Sequence, residues 1–172
     1  MTSIKDLSFL NKKALIRVDF NVPFDGDCIS DNSRILAAIP TINYVLENGG
    51  SCIVMSHLGR PKKREKKFSL LRIKQELERL LGLVVVFVED CVGPEVKKAS
   101  QRLMPGQVLL LENLRFYNEE VAGDEKFAEE LSSLADIYIN DAYGTTHRAH
   151  ASTSTIARYF TENRMSKDFT QD

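Results

Sequence analysis

Short apolar runs of strand length alternate with longer segments of helical period along nearly the whole chain, and this alternation narrows the fold more than any other feature. Ala14-Leu15-Ile16-Arg17-Val18, Cys52-Ile53-Val54-Met55, Leu83 to Val88, Gln107 to Leu111 and Ile137 to Asn140 read as strands. Between the first two, Arg34 to Leu46 puts Ile35, Ala38, Ile39, Ile42, Val45 and Leu46 on one helical face, with Asn48-Gly49-Gly50 as its stop. Ser69 to Leu81, Pro94 to Leu103 and Asp124 to Leu134 follow as helices, and Ser154 to Phe160 is expected to begin a last one. Pro40 should kink the first helix or open a second, because it lacks an N–H and crowds the preceding turn. Phe24-Asp25-Gly26-Asp27 reads as a turn, and the polar stretch from Thr161 to Asp172 as a tail that frays.

Uniformly apolar strands separated by helices mark βαβ units, whose parallel strands are covered on both faces. The expected fold is therefore α/β: a doubly wound, mainly parallel sheet with helices on both faces, a Rossmann-like three-layer sandwich. At 172 residues one domain is the natural expectation. Such sheets bind ligands just past the carboxyl ends of their strands, so the strand exits are where chemistry should lie.

Those exits carry Asp19-Phe20-Asn21, Ser56-His57-Leu58-Gly59-Arg60, Glu112-Asn113-Leu114-Arg115, and the run from Asn140 to Arg148; Arg34 opens the first long helix. Arg34, Arg60, Arg115 and Arg148, with His57, are thus expected on one edge of the sheet. Crowded guanidiniums repel one another and call for a counter-anion. Their planar forks suit carboxylate and phosphate, so a small phosphorylated acid is the natural ligand. The plainer alternative pairs each Arg with a nearby acid, Arg115 with Glu119 for example. Asp19 and Asn21 fit recognition of a hydroxyl and a carboxylate, although Asx residues after a strand also serve simply as turn caps. Gly59 would let backbone come close to a ligand beside His57.

Other readings are weaker. With 23 basic and 24 acidic residues the net charge is −1, against a general nucleic-acid or anionic-membrane binder. The basic run from Lys62 to Lys67 lacks interleaved aromatics and reads as a solvated loop. Three cysteines (Cys28, Cys52, Cys91) without C-x-x-C spacing suggest neither a disulfide framework nor a zinc ribbon, and fit a reducing compartment. His147 and His150 have no third ligand at metal spacing, so no metal is expected. No apolar run is long enough for a membrane span. The nine glycines form neither G-x-x-x-x-G-K-[ST] nor G-x-G-x-x-G, so no nucleotide-phosphate cradle is visible.

Four blocks carry a family likeness: Arg17-Val-Asp-Phe-Asn-Val-Pro23, Ser56-His-Leu-Gly-Arg-Pro61, Leu111-Glu-Asn-Leu-Arg-Phe116, and Asn140 to His150. In sequence and order they closely resemble the signature blocks of phosphoglycerate kinases, over the N-terminal half of that family's chain. Tyr143 and Thr146 are mild departures. The resemblance implies a substrate-binding N-terminal lobe over residues 1–160, with 161–172 starting the connection to a missing C-terminal lobe that binds Mg-ATP or Mg-ADP. It implies that Asp19 and Asn21 hold the hydroxyl and carboxylate end of 3-phosphoglycerate (or 1,3-bisphosphoglycerate). By the same resemblance His57, Arg60, Arg115 and Arg148 grip the 3-phosphate, and Arg34 acts catalytically beside the reacting carboxylate. A cytoplasmic, monomeric glycolytic phosphotransferase is implied, with no nucleic-acid or membrane partner and no nucleotide bound by this lobe. The chain alone is then expected to bind substrate without turning it over. A binding-only α/β module for phosphorylated small acids is the alternative.

Overall fold

A computed structural model describes residues 3–142, 149–160 and, as backbone, 166–168. Among them, strands β1 (Lys13–Arg17), β4 (Ser51–Met55), β5 (Val85–Phe87), β6 (Val108–Leu110), β7 (Ile137–Asn140) and β8 (Ser166–Asp168) form one sheet in the order β5-β6-β4-β1-β7-β8. Every pairing in it is parallel. The doubly wound α/β expectation holds.

Period-two alternation sorts the strand residues onto two cores. Ala14, Ile16, Val54 and Ile139 pack with Ile35, Ile42, Ile73 and Leu77, which lie on α1 (Ser33–Glu47) and α2 (Leu71–Leu81). Leu15, Ile53, Met55, Leu109 and Tyr138 face the other way. They meet Val96 of α3 (Pro94–Arg102), Phe127 and Leu131 of α5 (Glu125–Ser132), and Ile156. The same alternation puts the Arg17 side chain on the Leu15 side, where it is wholly buried. A short helix, α4 (Asn118–Ala122), lies between β6 and α5.

The departures from the sequence reading are local. Pro40 lies within α1 and neither ends it nor opens a second helix; it sits on the exposed side, so its missing N–H falls toward solvent. The turn at Phe24–Asp27 is the tip of a two-residue antiparallel hairpin, β2 (Phe24–Asp25) with β3 (Cys28–Ile29), and Gly26 takes φ +62°. The Arg72 guanidinium packs 3.7 Å over the Phe24 ring and donates to the Gly26 carbonyl at 2.8 Å, tying the hairpin to α2. The segment expected to begin a last helix is a 3-10 turn, Thr155–Tyr159. The tail expected to fray contributes an edge strand at Ser166–Asp168, because backbone pairing with β7 needs no apolar side chains.

The strand order also locates a switch point. From β1 the chain winds outward through β4 to β5, steps back to β6, and returns to the far side of β1 as β7. The crevice between strands that leave in opposite directions opens at their carboxyl ends. Asp19, His57, Arg115 and Asp141 all follow such ends.

Candidate functional site

A run of contacts joins most of the expected site residues. Arg34 opens α1 and its Nη1 donates to the Asn21 carbonyl at 2.7 Å, while lying 3.4 Å from both oxygens of Asp19. Asp19 Oδ1 also accepts the Asn21 N–H at 3.0 Å, an Asx turn. Asn21 Oδ1 accepts the Gly59 N–H at 2.9 Å, and the carbonyl of the same glycine accepts from Arg115 Nη1 at 3.3 Å. Arg115 and Arg60 then line one open cavity of about 270 Å³ with Pro61, Tyr117, Asn118, Val121 and His150. Three of the four arginines therefore sit along one edge. Arg148 lies outside the described residues.

The arginines differ in what already holds them. Arg34 has an acidic partner in Asp19, so for this residue local pairing is part of the answer; its side chain is still 52% exposed. Arg115 donates to a neutral carbonyl, not to Glu119. Arg60 is exposed and makes no ion pair with the described residues. The exposed guanidinium of Arg60 leaves positive charge available to an anion.

Gly59 is the pivot of this run. Its φ of +63° is strained for any residue with a Cβ, and an added Cβ would meet the Phe68 ring at 2.5 Å. Gly59→Ala is expected to destabilise the fold by more than about 1 kcal/mol. It should also weaken anion binding by shifting Asn21 and Arg115 together. Denaturant unfolding and a phosphate titration would check this; a neutral outcome in both would contradict the pivot.

Behind Arg115, Asn113 and Glu112 fasten the loops. Asn113 Oδ1 accepts from the N–H groups of Leu58 (3.2 Å) and Arg115 (3.0 Å), and its Nδ2 donates to the carbonyls of Leu58 (2.8 Å) and Phe68 (2.9 Å). Glu112 accepts from Ser69 Oγ at 2.7 Å and from the N–H groups of Leu70 and Asn113, each at 2.8 Å. It thereby fixes the entry to α2. The Tyr117 hydroxyl donates to Asp90 at 2.6 Å, and burial together with that carboxylate pushes its pKa up, so it stays a protonated donor. In the basic run 62–67, Lys62, Lys63, Arg64, Lys66 and Lys67 are all exposed, as a solvated loop should be.

Two residues carry weight here that sequence reasoning did not assign. His150, weighed only as a metal ligand, is buried and lines the Arg60–Arg115 cavity. Arg17, quoted only within a motif, is buried and donates from Nη2 to His57 Nδ1 at 2.9 Å. The available signal was a charge inside an otherwise apolar strand, which must find partners.

Asp141, just past β7, introduces a pH dependence. Burial raises its carboxyl from an ordinary 3.8 to about 6, and the Thr41 hydroxyl offsets only part of this. A raised carboxyl pKa means that the fold binds the proton more tightly than the unfolded chain does. Its stability contribution is full below about pH 4 and is lost as pH rises through about 6. Asp141→Asn is expected to stabilise the chain at pH 7 by roughly 1–2 kcal/mol, after allowance for solvent screening, and to flatten the profile between pH 4 and 6. Urea midpoints across that range test it; an unchanged profile would contradict it.

A sequence model described as phosphoglycerate kinase matches residues 4–166. The chain belongs to the phosphoglycerate kinase family. The phosphoglycerate kinase of Moorella thermoacetica is 56% identical over 158 residues, spanning 91% of this chain and 40% of that relative. That of Saccharomyces cerevisiae is 52% identical over 166 residues, spanning 87% and 40%. Among solved structures, phosphoglycerate kinase from Coxiella burnetii superposes with a TM-score of 0.85 at 33% identity, covering 97% of this chain and 41% of that one. The chain thus spans about 40% of the length of these phosphoglycerate kinases. No helix among the described residues is long and apolar enough to cross a membrane.

Proposed function

We propose that this chain is the 3-phosphoglycerate-binding lobe of a phosphoglycerate kinase. Reversible phosphoryl transfer between ATP and the 3-phosphoglycerate carboxylate would then need a second, nucleotide-binding lobe. The observation that carries the reading is the continuous run Arg34–Asp19–Asn21–Gly59–Arg115, ending at the cavity shared by Arg115 and Arg60. It sets an Asp/Asn pair able to hold a hydroxyl beside cationic groups able to hold a phosphate.

In this reading Asp19 and Asn21 bind the hydroxyl and carboxylate end, while His57, Arg60, Arg115 and Arg148 take the 3-phosphate. Arg34 lies by the reacting carboxylate. Its Nη1 is committed to Asn21 and Asp19, but a guanidinium has five donors, and the others remain for ligand oxygens. Phosphoryl transfer depends on positioning and charge stabilisation more than on covalent help, which suits a basic edge without an activated nucleophile.

The glycines form neither common nucleotide-phosphate cradle. Nucleotide binding belongs in this reading to the other lobe. A monomer in the cytoplasm completes the proposal, and three free cysteines suit a reducing compartment. One relative is named as chloroplastic, so the family is not confined to one compartment.

Calorimetric titration of the chain with 3-phosphoglycerate tests the proposal. Saturable one-to-one binding is expected with a Kd of roughly 0.1–1 mM. It should weaken as salt screens the exposed arginines over about 8–10 Å. Arg115→Ala should weaken it by ~1.5–3 kcal/mol, the value of a charge-assisted hydrogen bond. A coupled assay with ATP should detect no 1,3-bisphosphoglycerate. Absence of saturable binding at tens of millimolar ligand would overturn the substrate assignment, and turnover by the purified chain would overturn the need for a second lobe.

A further inference from the structure

Beneath the candidate site lies a buried polar chain that ends on His57 and whose other members, Arg17, Ser152 and Glu120, the substrate reading does not use. Arg17, Glu120 and Ser152 are wholly buried, and His57 is 5% exposed. Both oxygens of Glu120 are occupied by Ser152: Oε1 accepts its N–H at 2.7 Å and Oε2 its hydroxyl at 2.6 Å. Because that hydroxyl donates to Glu120, its lone pairs are left to accept Arg17 Nε, at 2.9 Å. Arg17 Nη1 donates to the Val18 carbonyl, and Nη2 meets His57 Nδ1 at 2.9 Å. Tyr138 donates its hydroxyl to the Ser152 carbonyl at 2.7 Å, holding the relay from the sheet side.

The chain has a direction. A guanidinium has only donors and stays protonated in proteins, so the atom facing it must accept. His57 Nδ1 therefore carries a lone pair, and the single proton of the neutral ring is on Nε2. We infer that Glu120, Ser152 and Arg17 act as a positioning relay that locks His57 in its Nε2–H tautomer, making it a fixed hydrogen-bond donor. A donor suits a phosphate, which offers only acceptors when fully ionised; this last step rests on the proposed function, whereas the tautomer lock does not. His57 and Arg17 come from the exits of β4 and β1, Glu120 from α4, and Ser152 from the segment beyond β7, so the lock forms only once the fold does.

Long-range proton–nitrogen correlation spectra of the uniformly ¹⁵N-labelled chain at pH 7.5 test this directly. His57 is one of three histidines, and the spectrum of His57→Gln assigns it. The expected pattern is a single tautomer with an unprotonated Nδ1. A pattern averaged between tautomers, or a proton on Nδ1, would overturn the lock. Arg17→Met, in a chain whose fold is confirmed by circular dichroism, should shift His57 toward the averaged pattern; an unchanged spectrum in a folded variant would overturn the relay. Should that variant not fold, the wild-type spectrum alone still decides. Arg17→Met should also weaken 3-phosphoglycerate binding about tenfold. A locked tautomer without saturable binding would defeat the substrate reading only, and saturable binding with an averaged tautomer would defeat the lock only.

Discussion

Glu120→Ala is expected to destabilise the chain by about 3–5 kcal/mol, the largest effect of any single substitution considered. The carboxylate is wholly buried on α4, and its loss takes from the Arg17 cation the foremost of its counter-charges. It also removes the acceptor of both the Ser152 N–H and the Ser152 hydroxyl. Arg17 already pays for burial, which lowers its pKa, and Glu120 is the foremost charge opposing that shift. Glu120→Gln keeps an acceptor for Ser152 but not the charge, and should fall between wild type and alanine. Denaturant unfolding of both variants checks the ordering; a Glu120→Ala effect below about 1 kcal/mol would contradict it.

Asn113→Ala is expected to destabilise by roughly 3 kcal/mol or more. One side chain makes four hydrogen bonds, and its loss strands the Leu58 N–H and carbonyl in a buried loop; each unmet buried group costs about 1–3 kcal/mol. Because Asn113 fixes Leu58 on one side and the Arg115 N–H on the other, the variant should also lose anion affinity. Asn113→Asp offers no substitute, since a carboxylate cannot donate to the Leu58 and Phe68 carbonyls. Thermal unfolding with a parallel phosphate titration would show both effects; retention of stability and affinity would contradict the fastening role.

What the sequence made legible follows from how strong each local signal was. Val54, Leu109 and Ile139 stand in uninterrupted apolar runs, and the strands bearing them were expected at these places. The hairpin of Phe24–Asp25 with Cys28–Ile29 is too short to show a period, and Ser166–Asp168 has no apolar signal at all. The same holds for the site. Asp19, Asn21, Arg34, His57, Arg60 and Arg115 could be placed because they follow strands or open a helix, and topology alone brings such positions to one edge. That Arg34 pairs with Asp19, that Asn113 bridges three loops, and that Ser152 reaches Arg17 across 135 residues and joins it to Glu120 depend on tertiary geometry. No periodicity encodes them. Arg17 was the one legible exception, a cation where only apolar residues belong.

The central claim is that a phosphorylated acid binds at the carboxyl edge of the sheet. A titration of the labelled chain with 3-phosphoglycerate, followed by residue-resolved amide shifts, tests it most directly. The account predicts that Asn21, Gly59, Arg60 and Arg115 move together along one binding curve, with the Arg60–Arg115 cavity at the centre of the perturbed surface. Shifts confined to the basic loop 62–67, or to the separate groove that residues 27–32 form with Arg72, Glu76 and Arg79, would contradict it.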